Sequence, residues 1–176
     1  MSLPTGVWTA QNCTLKLPYI CEVPPVHDPC PTTPPPNPCP SGWYYFGGYC
    51  YYPGSNADWN TGNADCQSSG AQLASIHSDA ENDFIAKISN AANTFVWFGL
   101  YKPNGTWVWT DGTPVDYTNW MPGEPNGDGP EFCGEMGYCC YDSNDCCPSS
   151  YAGPGWNDYK CAFVRNYVCK KLALSK

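Results

Sequence analysis

Polar and apolar positions along this chain alternate in two distinct ways, helical in one stretch and β-like in most others. The run "CPSGWYYFGGYCYY" (39–52) sets aromatic residues on both sides of Gly47-Gly48, with a cysteine in each arm, and predicts a β-hairpin. "NADCQSSGAQLASI" (63–76) predicts a helix that carries Cys66 and ends at Gly70, followed by a short buried strand. Ser78-Asp79-Ala80-Glu81 has the form of a capping box, and Phe84, Ile85 and Ile88 follow at helical spacing. Beyond this second helix the pattern turns β-like: "TFVWFGL", "GTWVWTDG", "EFCGEMGY" and "CAFVRNYVC" are short aromatic or β-branched runs between Gly, Pro and Asn turns. Two helices followed by several strands and long loops predict an α+β domain.

Proline marks the boundaries. "PPVHDPCPTTPPPNP" (24–38) predicts an extended, semi-rigid linker. It separates an N-terminal piece (1–23) from the main domain (39–171), which leaves 172–176 as a C-terminal tail. The N-terminal piece contains "WTAQNCTLKLPYIC" (Trp8 to Cys21), and the end of the main domain contains "WNDYKCAFVRNYVC" (Trp156 to Cys169). Trp, Cys and Cys stand at identical spacing in both. Residues 1–23 therefore read as the tail of a preceding copy of the same domain; coincidence in a cysteine-rich chain is the other reading.

Composition narrows the class. Thirteen cysteines in 176 residues belong in an oxidising compartment, so the expected location is extracellular, either secreted or on a surface ectodomain. "MSLPTGVW" is not a signal peptide, and the chain reads as a fragment or a mature form. Sequons at Asn12 and Asn104 suit a secreted glycoprotein. A net charge of −8 argues against nucleic acid, which needs a basic patch. No stretch approaches the roughly 20 apolar residues of a membrane span. With 8 Trp, 13 Tyr and 6 Phe, the core is expected to be built largely from rings.

One loop does not fit a purely structural role. "GEPNGDGPEFC" (123–133) gathers Glu124, Asp128 and Glu131 among glycines and prolines, with almost nothing to bury. Oxygen-rich acidic loops are what hard cations require. Taken with "AQLASI", "VWFGL", "GTWVWTDGTPVDYTNW", "GEPN" and "WND" in this order, the stretch from Cys39 to Cys169 resembles a C-type lectin-like domain, a fold of two helices and small antiparallel sheets with long calcium-binding loops.

The resemblance implies three disulfides: Cys39–Cys50, Cys66–Cys169 and Cys133–Cys161. It also implies one calcium ion, held by Glu124, Asn126, Glu131, Asn157 and Asp158, with a cis peptide bond before Pro125. The same five side chains would then bind carbohydrate, because two neighbouring sugar hydroxyls complete the calcium shell while bonding to the carboxylates and amides. Glu-Pro-Asn is the form that goes with mannose, N-acetylglucosamine or fucose, and Gln-Pro-Asp goes with galactose. Mannose-type glycans on glycoproteins or cell surfaces are the implied partners. The fold also serves protein recognition without sugar, and that is the alternative function.

The chain departs from the family in two places. Members with a second calcium use acids in the loop after the "GL" strand, where this chain has "YKPNGTW", and just beyond Glu-Pro-Asn, where it has Gly127 and Phe132. An accessory site is therefore not expected unless Asp128 supplies a distorted one. The insertion "GYCCYDSNDCCPSSYAGPG" carries Cys139, Cys140, Cys146 and Cys147, which suit two extra disulfides; a four-thiolate zinc site is the rival. Cys13 and Cys21 can pair with each other, leaving Cys30 for an interchain bridge.

Catalysis finds little support. Glu131 and Glu135 could be named as an acid pair, but Glu131 already belongs to the proposed metal. His27 lies in the linker and His77 precedes a helix cap. Trp107 and Trp109 alternate as strand-buried rings do, and Trp120 stands beside the ligand loop. No enzyme is expected.

Overall fold

A computed structural model describes residues 37–127, 129–138 and 153–174. The expectations for residues 1–36, including Cys13, Cys21 and Cys30, lie outside the described residues. So do those for Asp128 and for Cys139, Cys140, Cys146 and Cys147.

The aromatic hairpin forms as expected, from β1 (Tyr44–Phe46) and β2 (Tyr49–Ala57), with both turn glycines at positive φ. Helix α1 (Trp59–Ser68) begins earlier than the pattern suggested, because the Asp58 carboxylate caps it by accepting from the Thr61 N–H at 2.8 Å. Gly70, at φ +65°, turns the chain out of the helix into β3 (Gln72–Leu73). Helix α2 (Asp79–Ser89) starts at Ser78, whose hydroxyl accepts from the Glu81 N–H. The reciprocal arm of the capping box reaches one residue further back, since the Glu81 carboxylate accepts from the His77 N–H at 2.9 Å. Glu81 is buried and also receives the Tyr51 hydroxyl and the Lys170 ammonium, each at 2.6 Å.

The remaining strands are β4 (Val96–Tyr101), β5 (Val108–Trp109), β6 (Cys133–Tyr138), β7 (Pro154–Tyr159) and β8 (Arg165–Leu172). One sheet path runs β1-β2-β8-β4-β6-β7, with β3 added on β8 and β5 on β4. The pairing is antiparallel throughout, except between β4 and β8. The sequence reading did not single out β7: "PGWNDY" is held as a strand by its full register against β6, from Cys133–Tyr159 to Tyr138–Pro154.

The core is built from rings. Trp97, Phe98, Trp109 and Trp156 are essentially fully buried. Trp156 meets Trp109 edge-on at 5.8 Å and Phe98 at 5.0 Å. Trp109 is core as expected, while Trp107 and Trp120 are half-buried and pack on each other at 5.1 Å. All three disulfides implied by the resemblance are present. Cys66–Cys169 ties α1 to β8 across a separation of 103 residues. In the chain-entropy view, closing a loop of that length stabilises the fold by about 4 to 5 kcal/mol.

Candidate functional site

The Trp156 ring positions the site. Its indole N–H donates to Asn82 Oδ1 at 2.7 Å, which locks β7 onto α2. On the other side, residues 119–121 run beside β7: the Trp156 N–H donates to Asn119 O and the Met121 N–H to Trp156 O, both at 2.8 Å. The chain then turns, with the Glu124 N–H donating to Met121 O at 2.9 Å, and passes through a cis Glu124–Pro125 bond. One buried tryptophan thus places the Glu-Pro-Asn loop against Asp158.

Three of the expected ligands meet there. The Asn126 N–H donates to Glu124 Oε2 at 3.0 Å and to Asp158 Oδ1 at 3.1 Å. The Asn126 amide NH2 donates to Glu124 Oε1 at 3.0 Å. Asp158 is fully buried, and its Oδ2 has no hydrogen-bond partner. Burial, and the Asp158 carboxyl close beside it, push the Glu124 carboxyl above its usual range against the pull of the Asn126 bonds. Two carboxyl groups held together, one with an orphaned buried oxygen, make a site that favours positive charge.

Asn157 faces a different partner. Its amide NH2 donates to Glu135 Oε1 at 3.0 Å, and Arg165 Nε donates to Glu135 Oε2 at 2.9 Å. Glu135 is buried; desolvation raises its carboxyl, Arg165 and Asn157 oppose that rise, and the charge on Glu131 adds to it. Glu131 therefore lies within electrostatic reach of the Asn157 partner.

Two further contributors are Glu135, weighed from sequence only as half of an acid pair, and Lys102. Glu135 occupies a buried position in a strand, and a buried acid needs a partner. Lys102 stands in the loop noted only for its lack of acids, and its Nζ lies 3.9 Å from Asp158 Oδ2.

Among the described residues, no three of His, Cys, Asp and Glu gather closely enough to hold a metal by themselves. The donors that do converge are two carboxyl groups and an amide, all oxygen-bearing, and one of their oxygens, Asp158 Oδ2, is buried without a hydrogen-bond partner. That chemistry fits a hard divalent cation such as calcium and does not suit a soft metal.

Residues 55–171 match the family described as the Lectin C-type domain. The CD209 antigen of Nomascus concolor is 39% identical over 145 residues, which cover 79% of this chain and 32% of that protein. The chain thus spans about a third of the length of this curated relative. Among solved structures, the cow C-type carbohydrate-recognition domain of CD23, in the presence of a GlcNAc2Man3 oligosaccharide, superposes with a TM-score of 0.65 at 35% identity, covering 78% of this chain and 98% of that one. A calcium-independent type II antifreeze protein superposes at 0.63 and 34% identity, covering 77% of this chain and 95% of its own. On its sequence, its disulfides and its fold, the chain belongs to the C-type lectin domain family.

Proposed function

We propose that this domain binds carbohydrate in a calcium-dependent manner, with the preference of the mannose, N-acetylglucosamine and fucose class. The observation that carries the reading is the convergence of Glu124, Asn126 and Asp158, two carboxyl groups and an amide bonded through one backbone N–H beside an unpartnered buried oxygen. Glu131 and Asn157 complete the proposed ligand set. When bound, calcium supplies coordination positions that two neighbouring sugar hydroxyls can fill.

The side chains do the discriminating. Carboxylates of Glu124 and Glu131 accept from sugar hydroxyls, and the amide NH2 groups of Asn126 and Asn157 donate to them. Glu135 holds the Asn157 amide in one orientation, because a carboxylate accepts only from the NH2 side. The GlcNAc2Man3 present with the related CD23 domain belongs to the same sugar class.

The domain acts by binding and not by catalysis. Glu135, the second acid of the conceivable catalytic pair, is enclosed and saturated by Arg165 and Asn157. His77 is an ordinary partner of Asp116 at 2.6 Å. The three disulfides suit an extracellular location.

A second reading, recognition of a protein without sugar, draws on the likeness to a calcium-independent antifreeze protein and on the lysine at the edge of the site. Retention on immobilised mannose, abolished by a chelator, is the outcome expected for the lectin. Retention that ignores the chelator, or no retention on any glycan of this class, rejects it. The double substitution Glu124→Gln with Asn126→Asp exchanges donor and acceptor across the loop, so preference is expected to shift toward galactose. Unchanged mannose selectivity in a glycan-binding assay counts against the assigned ligands.

A further inference from the structure

Asp158 is buried completely; its Oδ1 accepts from the Asn126 N–H, the Glu124 carboxyl is hydrogen-bonded with it, and its Oδ2 has no hydrogen-bond partner. A carboxylate withdrawn from water is costly unless an opposite charge stands close by. The charge available is the Lys102 ammonium, 3.9 Å from the unbonded oxygen, on a side chain only 19% exposed. Several contacts fix it there. The ammonium lies 4.8 Å from the centroid of the Trp107 ring. The Lys102 N–H donates to Phe132 O at 2.8 Å, which anchors the base of the side chain to the segment entering β6. A methyl group at Gly127 would come within 3.8 Å of Nζ, so the ammonium also sits under the turn that follows Asn126.

We infer that Lys102 is a tethered counter-cation: it neutralises Asp158 and holds the Gly127 turn in place while the site is free of calcium. The inference rests on the calcium reading above only for its second half, in which a bound divalent ion takes over the neutralisation of Asp158. A lysine in this position keeps the ligand loop assembled at low calcium, at the cost of placing one positive charge beside the entering ion.

Thermal unfolding of the disulfide-intact protein, in chelator and in excess calcium, tests this with two variants. Lys102→Met keeps the apolar stem over Trp107 but removes the charged end, and Lys102→Arg restores the charge. In chelator, Lys102→Met is expected to lower Tm by about 5 °C, and Lys102→Arg to stay near the wild-type value. In calcium the loss in Lys102→Met is expected to fall below about 2 °C, so that the calcium-induced rise in Tm becomes larger than in the wild type. Equal losses in chelator and calcium would mean that the side chain serves packing alone and would overturn the inference. So would an unchanged Tm in chelator, or a failure of Lys102→Arg to rescue. A wild-type protein whose Tm ignores calcium refutes the calcium reading, and with it the exchange of roles, whereas a charge-dependent loss in chelator still supports the pairing of Lys102 with Asp158.

Discussion

Glu124 is a side chain pulled in two directions. Burial and the neighbouring Asp158 carboxyl raise its proton affinity, while the N–H and NH2 of Asn126 favour the ionised form. The net rise means that the folded, calcium-free protein holds this proton more tightly than the unfolded chain does. The stability contributed by the group is therefore fully present below the unfolded pKa and is lost as pH rises through the higher folded value. Affinity for the proposed calcium ion is expected to run the opposite way, because the ion would need the carboxylate ionised, and to fall as pH drops into the range where Glu124 takes up its proton. Calorimetric titration with calcium, carried from neutral pH down into the acid range, is expected to show weakening affinity with proton release on binding. An affinity that stays flat over this interval would show that Glu124 is already ionised and is not competing with the metal for a proton.

Among the strands, β4 carries a close approach to the backbone of a neighbour. Gly99 lies at its centre, with its N–H on Ala74 O and its carbonyl accepting from the Thr110 N–H. A Cβ there would stand 2.5 Å from Leu73 O and 2.7 Å from Thr110 Oγ1. Backbone cannot yield as a flexible side chain can, so Gly99→Ala is expected to destabilise the fold by about 1 to 3 kcal/mol in urea unfolding. A change of under about 0.5 kcal/mol would mean that β3 and β5 shift freely. The "VWFGL" run showed β4 as a strand, but its aromatic alternation carries no trace of this close approach. Legibility elsewhere followed the same division. Helix α2 announced itself through Ser78, Glu81 and the spacing of Phe84, Ile85 and Ile88, because those signals are local. Strand β7 did not: "PGWNDY" has two strand-averse residues at its start, and only pairing with β6 makes it extended. The site divided likewise. The family resemblance, carried by "GEPN" and "WND", indicated Glu124, Asn126 and Asp158, whereas the attachment of Asn157 to Glu135 and the reach of Lys102 depend on which strands become neighbours.

Taken whole, the molecule stores much of its order in tryptophan packing and disulfides and presents its proposed chemistry on one small loop cluster. A ligand that touches a single ion and a few polar side chains gains little buried area, so one domain should hold one free monosaccharide only weakly, with a Kd of about 1 mM, or about −4 kcal/mol. The net charge of −8 does nothing to raise this, since neutral sugar hydroxyls are not steered by a long-range field. Useful strength would have to come from several domains engaging several sugars at once, where each later contact forms at a high effective concentration. The test varies spacing and leaves chemistry alone. The domain is immobilised at a series of densities, and a glycoprotein bearing many mannose-type glycans is passed over it in calcium. Apparent affinity is expected to rise by about 100-fold or more from the sparsest to the densest surface, while competition by free mannose stays near millimolar at every density. An affinity that is already tight on the sparse surface and independent of density would point to an extended contact surface around the loop, and would displace the single-ion account of recognition.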